Sequence, residues 1–155
     1  MTAPFVHAPD PTRRVTVLLI SPDSRDHTLI RHVFNRSNWV LHECRTVEEG
    51  LRFLAHHPVP VVITEERLGS ADWKAILSAV SNSARPPKVI VTSHHAEPSL
   101  WAEVINLGGY DVLAKPWNER ELFHAISQAW LAWKHEAERP ARIAAQPPQY
   151  RRASV

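Results

Sequence analysis

The feature that most restricts how this chain can fold is an alternation. Five short apolar runs, rich in β-branched residues, are separated by segments whose apolar residues recur at helical spacing. The first run, residues 15–20 (Val-Thr-Val-Leu-Leu-Ile), is almost unbroken, which suits a central parallel strand buried on both faces. Asp23 or Ser24 can cap the next segment, where Leu29, Ile30, Val33 and Phe34 form one helical face. Trp39-Val40-Leu41 reads as an edge strand. Thr46 followed by Glu49 is a capping box, opening a helix with Leu51, Phe53 and Leu54 that stops near Pro58. Residues 59–64 form the third strand. A short acidic loop and a helix bearing Ile76, Leu77 and Val80 follow. Pro86-Pro87 breaks the chain before the fourth strand, 88–92. Pro98 begins a helix with Leu100, Val104, Ile105 and Leu107, ended by Gly108-Gly109. The fifth strand spans 110–114, and Asn118 caps a last helix through Leu122, Phe123, Ile126, Trp130 and on to Trp133.

Strands alternating with helices predict an α/β fold, (βα)5, with one parallel sheet, helices on both faces and right-handed crossovers. Chemistry in such folds gathers at the carboxyl ends of the strands. Those ends here are Ser21-Pro22-Asp23, Glu65-Glu66-Arg67, Thr92-Ser93 and Lys115-Pro116. Residues 1–13, with three prolines and no period, read as a flexible arm, 14–138 as the domain, and 139–155 as a disordered basic tail. The tail holds four arginines and no acid, which leaves 14 basic against 16 acidic residues elsewhere and a domain with no basic surplus for nucleic acid. No apolar stretch is long enough to span a membrane, the first residues lack a secretory core, and the lone Cys44 allows no internal disulfide; a cytoplasmic protein is expected.

Two segments carry a family likeness. Gly108-Gly109-Tyr110-Asp111-Val112-Leu113-Ala114-Lys115-Pro116-Trp117 resembles the glycine-strand-Lys-Pro-aromatic segment of response-regulator receiver domains. Residues 65–73, from Glu65 to Trp73, stand where that family has its phospho-acceptor and following loop. The resemblance spans roughly residues 14–133. It implies a CheY-like, flavodoxin-like doubly wound sheet of order 2-1-3-4-5. It also implies a pocket in which an aspartate after the third strand accepts phosphate from a histidine kinase. In that pocket a carboxylate pair after the first strand helps hold Mg²⁺, and a Ser/Thr and a Lys contact the phosphoryl oxygens.

Carried over position by position, Thr92 and Lys115 match the family's Ser/Thr and Lys. The acid pair falls on Ser21 and Pro22, with Asp23 adjacent, and the acceptor falls on Glu65, whose extra methylene extends the carboxylate by about 1.5 Å. The switch aromatic falls on Val112; Tyr110, two residues earlier, either replaces it in part or is a core or edge tyrosine. The resemblance with these departures implies a single-domain pseudo-receiver in a two-component or phosphorelay context. It is expected to have no enzymatic activity of its own, weak or absent Mg²⁺ binding, and no other cofactor or metal. Glu65 is expected to reach Lys115 and Thr92 and hold one state. The alternative is a working phospho-acceptor using Glu65 or Asp23 with Mg²⁺, and a third reading is a small-ligand or nucleic-acid binder.

The expected partner is a protein, either a histidine kinase or another regulator. A second copy of the chain is the other candidate, through the helix-four, strand-five, helix-five face that the family uses, with Trp101, Tyr110 and Trp133 as interface candidates. Trp39, Trp117 and Trp130 read as core or semi-buried, and Trp73 stands where a small residue is expected. The ten histidines include no i,i+4 pair of the zinc-helix type. The terminal Arg151-Arg152-Ala153-Ser154 reads as a solvated basic tail.

Overall fold

The computed structural model describes residues 10–138. The arm expected over 1–13 falls mostly, and the tail over 139–155 wholly, outside the described residues. The elements are β1 (Thr16–Ile20), α1 (Ser24–Phe34), β2 (Val40–Cys44), α2 (Val47–His56), β3 (Val61–Glu65), β4 (Arg67–Leu68), β5 (Ala71–Asp72), α3 (Trp73–Val80), β6 (Lys88–Ser93), α4 (Pro98–Asn106), β7 (Asp111–Ala114) and α5 (Glu119–Glu138). Five strands form one sheet in the order β2-β1-β3-β6-β7, every neighbour parallel. Counted within the sheet alone, this is the expected 2-1-3-4-5. The segment read as an acidic loop instead contains a two-residue antiparallel ribbon, β4 with β5, turned at Gly69 with φ +69°, where a side chain would be strained.

Successive strand residues face opposite sides, and this divides the core. Val17, Leu19, Val61, Ile63 and Ile90 point to the layer holding α1 and α5. Leu18, Ile20, Val62, Val89 and Val91 point to the layer holding α2, α3 and α4. With a helix layer on each face, both sides of the central strands must be apolar, which explains the unbroken runs. Thr46 caps α2 as expected, its Oγ1 accepting from the Glu49 N–H at 3.1 Å. Asn118 Oδ1 accepts from the N–H groups of Arg120 and Glu121 and starts α5.

Trp73, which stands where a small residue is expected, opens α3 and is only 2% exposed, its ring in the α2/α3/α4 layer. One tryptophan departs from expectation. Trp133, expected at an interface, is 4% exposed, with the Arg85 guanidinium 4.1 Å from its ring centre, so it offers no free face. α5 extends through Trp133 to Glu138, and that length carries the side chain under Arg85 instead of to solvent. Of the two readings of Tyr110, the core one holds and the switch one does not: it precedes the strand proper and packs into the α1/α5 layer, whereas Val112 packs on the other face. No helix among the described residues is long and apolar enough to cross a membrane.

Candidate functional site

Parallel registration brings the ends of four strands to one rim. Ile20 pairs with Thr64, Glu65 with Thr92, and Ser93 with Ala114. Ser21, Glu65, Ser93 and Lys115 therefore leave the sheet at nearly the same level. The centre of the rim is the Lys115 ammonium, whose side chain is 4% exposed. It donates to Glu65 Oε2 at 2.6 Å and to Asp26 Oδ2 at 2.8 Å. The same Asp26 oxygen accepts from Ser21 Oγ at 2.7 Å. One cation thus joins the first turn of α1, the end of β3 and the residue after β7.

Asp26 is the residue that sequence reasoning missed. The resemblance directs attention to the two positions directly after β1, and these are Ser21 and Pro22. Once α1 begins at Ser24, Asp26 lies in its first turn, where a carboxylate is favoured by the helix dipole. The signal available in the sequence was an acid three residues beyond Asp23. Asp23 itself is occupied elsewhere: it caps α1 through the Arg25 N–H at 2.9 Å, and both its oxygens accept from the Arg25 guanidinium. The Arg25 side chain and then its N–H hold the Asp23 carboxyl down at about 2.

The electrostatics follow from burial and sharing. Desolvation is the largest influence on Glu65 and pushes its carboxyl up; Lys115 returns part of this, and the nearby Asp26 charge adds to the rise. Burial disfavours the charged form of Lys115, but hydrogen bonds to Asp26 and Glu65 overcome it and the ammonium is raised. Two carboxylates share one lysine, so the centre is formally one charge negative when all three are ionised.

Thr92 lies beside Glu65 in register, but its hydroxyl serves other groups. It donates to the Leu113 carbonyl at 2.9 Å and accepts from Trp117 Nε1 at 2.7 Å, on the α1/α5 side of the sheet. The expected reach of Glu65 to Thr92 is therefore not present. Ser93 Oγ is the hydroxyl at the rim, and it donates to Glu66 Oε1 at 2.7 Å. Glu66 is thereby tied to β6, whereas Arg67 is exposed. Val112 is half-buried. Behind the rim, the buried His27 lies between two acceptors, Glu43 Oε1 and the Ser21 carbonyl, each at 2.8 Å, fixing the chain after β1 to the neighbouring strand.

The divalent cation that the family resemblance implies can be tested against these donors. A hard cation such as Mg²⁺ takes several oxygens in near-octahedral array. Here Glu65 and Asp26 converge on an ammonium, Asp23 turns to Arg25, and Ser21-Pro22 add no carboxylate. Among the described residues, no group of three or more His, Cys, Asp or Glu side chains is placed to hold a metal ion. The donor set does not fit the ion. What the arrangement does is hold three chain segments together through one ammonium.

The model of the response regulator receiver domain family matches residues 17–127. Among solved structures, the signal receiver domain of an HD domain-containing protein from Pseudomonas fluorescens Pf-5 is 27% identical. That match covers 86% of this chain and 99% of that one, with a TM-score of 0.75. The signal receiver domain of a putative Luxo repressor protein from Vibrio parahaemolyticus is 20% identical, with 80% and 95% covered and a TM-score of 0.75. The beryllofluoride-activated NtrC4 receiver domain dimer is 16% identical, with 76% and 98% covered and a TM-score of 0.70. The last two share the fold. No curated protein sequence matches the chain.

Proposed function

The chain belongs to the response regulator receiver family, and from that premise we propose that it is a pseudo-receiver that signals by protein contact, independently of phosphorylation. The observation that carries the reading is the Glu65 carboxylate held 2.6 Å from the Lys115 ammonium. The residue at the acceptor position is already engaged with the cation that would otherwise meet a phosphoryl oxygen. Asp26 takes a second bond from the same ammonium, so all three segments are joined without any added group. On this reading the protein performs no catalysis, binds Mg²⁺ weakly or not at all, and acts in the cytoplasm on a histidine kinase or another regulator.

Homodimerisation through the α4-β7-α5 face is part of the proposal. It is supported by Trp101 and Leu107, which are 51% and 54% exposed. Trp133 is buried and adds nothing to that face, and Tyr110 is half-buried in the α1/α5 layer. Nucleic acid is not the proposed partner of the domain.

The test is intact-mass spectrometry after incubation with acetyl phosphate and Mg²⁺. The protein is expected to stay unmodified. A stoichiometric phosphoryl adduct on Glu65 or Asp23 would establish the rival reading, a working phospho-acceptor.

A further inference from the structure

A groove of about 630 Å³ runs between α2 and α3, away from the rim. Its floor is apolar, with Val59 and Val80 buried and Leu54 half-buried. Its border carries His56, His57 and Arg85, all exposed. The charge pattern around it is one-sided. Residues 50–64 and 73–96, which supply α2 beyond its first turn and all of α3 with the loops after them, contain none of the 16 acids of the chain. They contain Arg52, Lys74, Arg85 and Lys88. Lys74 and Lys88 have partners of their own in Glu103 and Glu136. Arg85 rests on the Trp133 ring and forms no ion pair among the described residues, although Asp10 feels its charge through space.

An apolar slot between two helices, with only basic ionisable groups at its border, complements a segment that is apolar on one side and acidic on the other. We propose that this groove is a docking site for an acidic amphipathic segment of a partner protein, with its apolar residues over Val59 and Val80 and its carboxylates toward Arg85. The basic tail at 139–155, with four arginines and no acid, has the wrong charge for it. The inference is independent of the phosphorylation question, because no residue of the Lys115 centre lines the groove.

The experiment uses the full ¹⁵N-labelled chain and two helical peptides. Both carry leucine at i, i+3, i+4 and i+7, flanked in one by glutamate and in the other by lysine. The glutamate peptide is expected to shift the amide signals of residues 51–59 and 79–87 and to leave the rim unchanged. Arg85→Glu is expected to weaken binding about fivefold or more, and Ala79→Glu, on the exposed side of α3, to abolish it. Both variants change exposed positions, and well-dispersed spectra identify the folded protein. Equal shifts with the lysine peptide, or none with either, would overturn the proposal. So would sedimentation showing a peptide-free dimer that Ala79→Glu dissociates, since the occupant would then be a second copy.

Discussion

Replacing Lys115 by methionine removes the one cation that two carboxylates share. The side chain is nearly isosteric, so packing is kept and the charge is the variable. Removing one partner of a buried ion pair costs about 3–5 kcal/mol, because the other charge stays buried without compensation. Here two carboxylates are left, with side-chain exposures of 7% for Asp26 and 16% for Glu65. Asp26 keeps the Ser21 hydroxyl, and Glu65 has a short path to water, so the lower end of that range applies. The expected loss is about 3 kcal/mol at pH 7, or roughly 6–12 °C in Tm for a chain of this size.

The pH dependence carries a sign. In the wild type the raised Lys115 contributes stability that is present below 10.5 and lost as pH rises through its folded value. The raised Glu65 contributes stability that is present below 4.5 and lost as pH rises through its own folded value, so ionising Glu65 costs the fold. Without Lys115 that cost grows, and protonation relieves it. The destabilisation by Lys115→Met should therefore shrink on going from pH 7 to about pH 4.5, within the ordinary carboxylate range. Urea unfolding followed by tryptophan fluorescence at the two pH values measures both quantities. A loss under about 1 kcal/mol at pH 7, or one that does not diminish in acid, would show that the three groups do not act as a coupled centre.

Glu65→Gln, measured in the same way, should change stability by less than about 1 kcal/mol at pH 7, because lost charge pairing is offset by relief of desolvation; it should also remove the stability that protonating Glu65 adds as pH falls, so the acid limb of the profile becomes steeper. Asp23→Ala removes the cap of α1 and should cost about 1 kcal/mol at neutral pH. Since the Asp23 carboxyl is held at about 2, its contribution is present above 3.8 and fades as pH falls through about 2; a difference from wild type that persists below that pH would contradict the assignment. Gly109→Ala would place a Cβ 3.0 Å from the Val104 backbone oxygen, and thermal unfolding should show a loss of about 1–3 kcal/mol. Trp101→Ala should leave stability within about 0.5 kcal/mol while weakening self-association in sedimentation; an unchanged dimer would remove α4 from the interface.

The fold was legible in the linear pattern. Unbroken runs such as 15–20 require apolar contacts on both sides of a strand, and their alternation with helical segments selects a parallel sheet between two helix layers. The lysine at the rim was legible too, because Lys115-Pro116 follows the last strand directly and strand ends are where α/β sheets gather their polar groups. The cluster around it was not. Asp26 joins through the pitch of α1, and it meets Lys115 across 89 residues of chain. Thr92 stands in register with Glu65, yet its hydroxyl is taken by Leu113 and Trp117, and which partner a hydroxyl finds is not written in its position along the strand. Trp133 looked like an exposed anchor until the length of α5 and the place of Arg85 put it under a guanidinium. Periodicity is a local property, so the chain by itself determined the five strands of the sheet, the five helices and most of the apolar core. Which carboxylate reaches a shared cation depends on where separate segments converge in space, and that was decided only when the sheet closed.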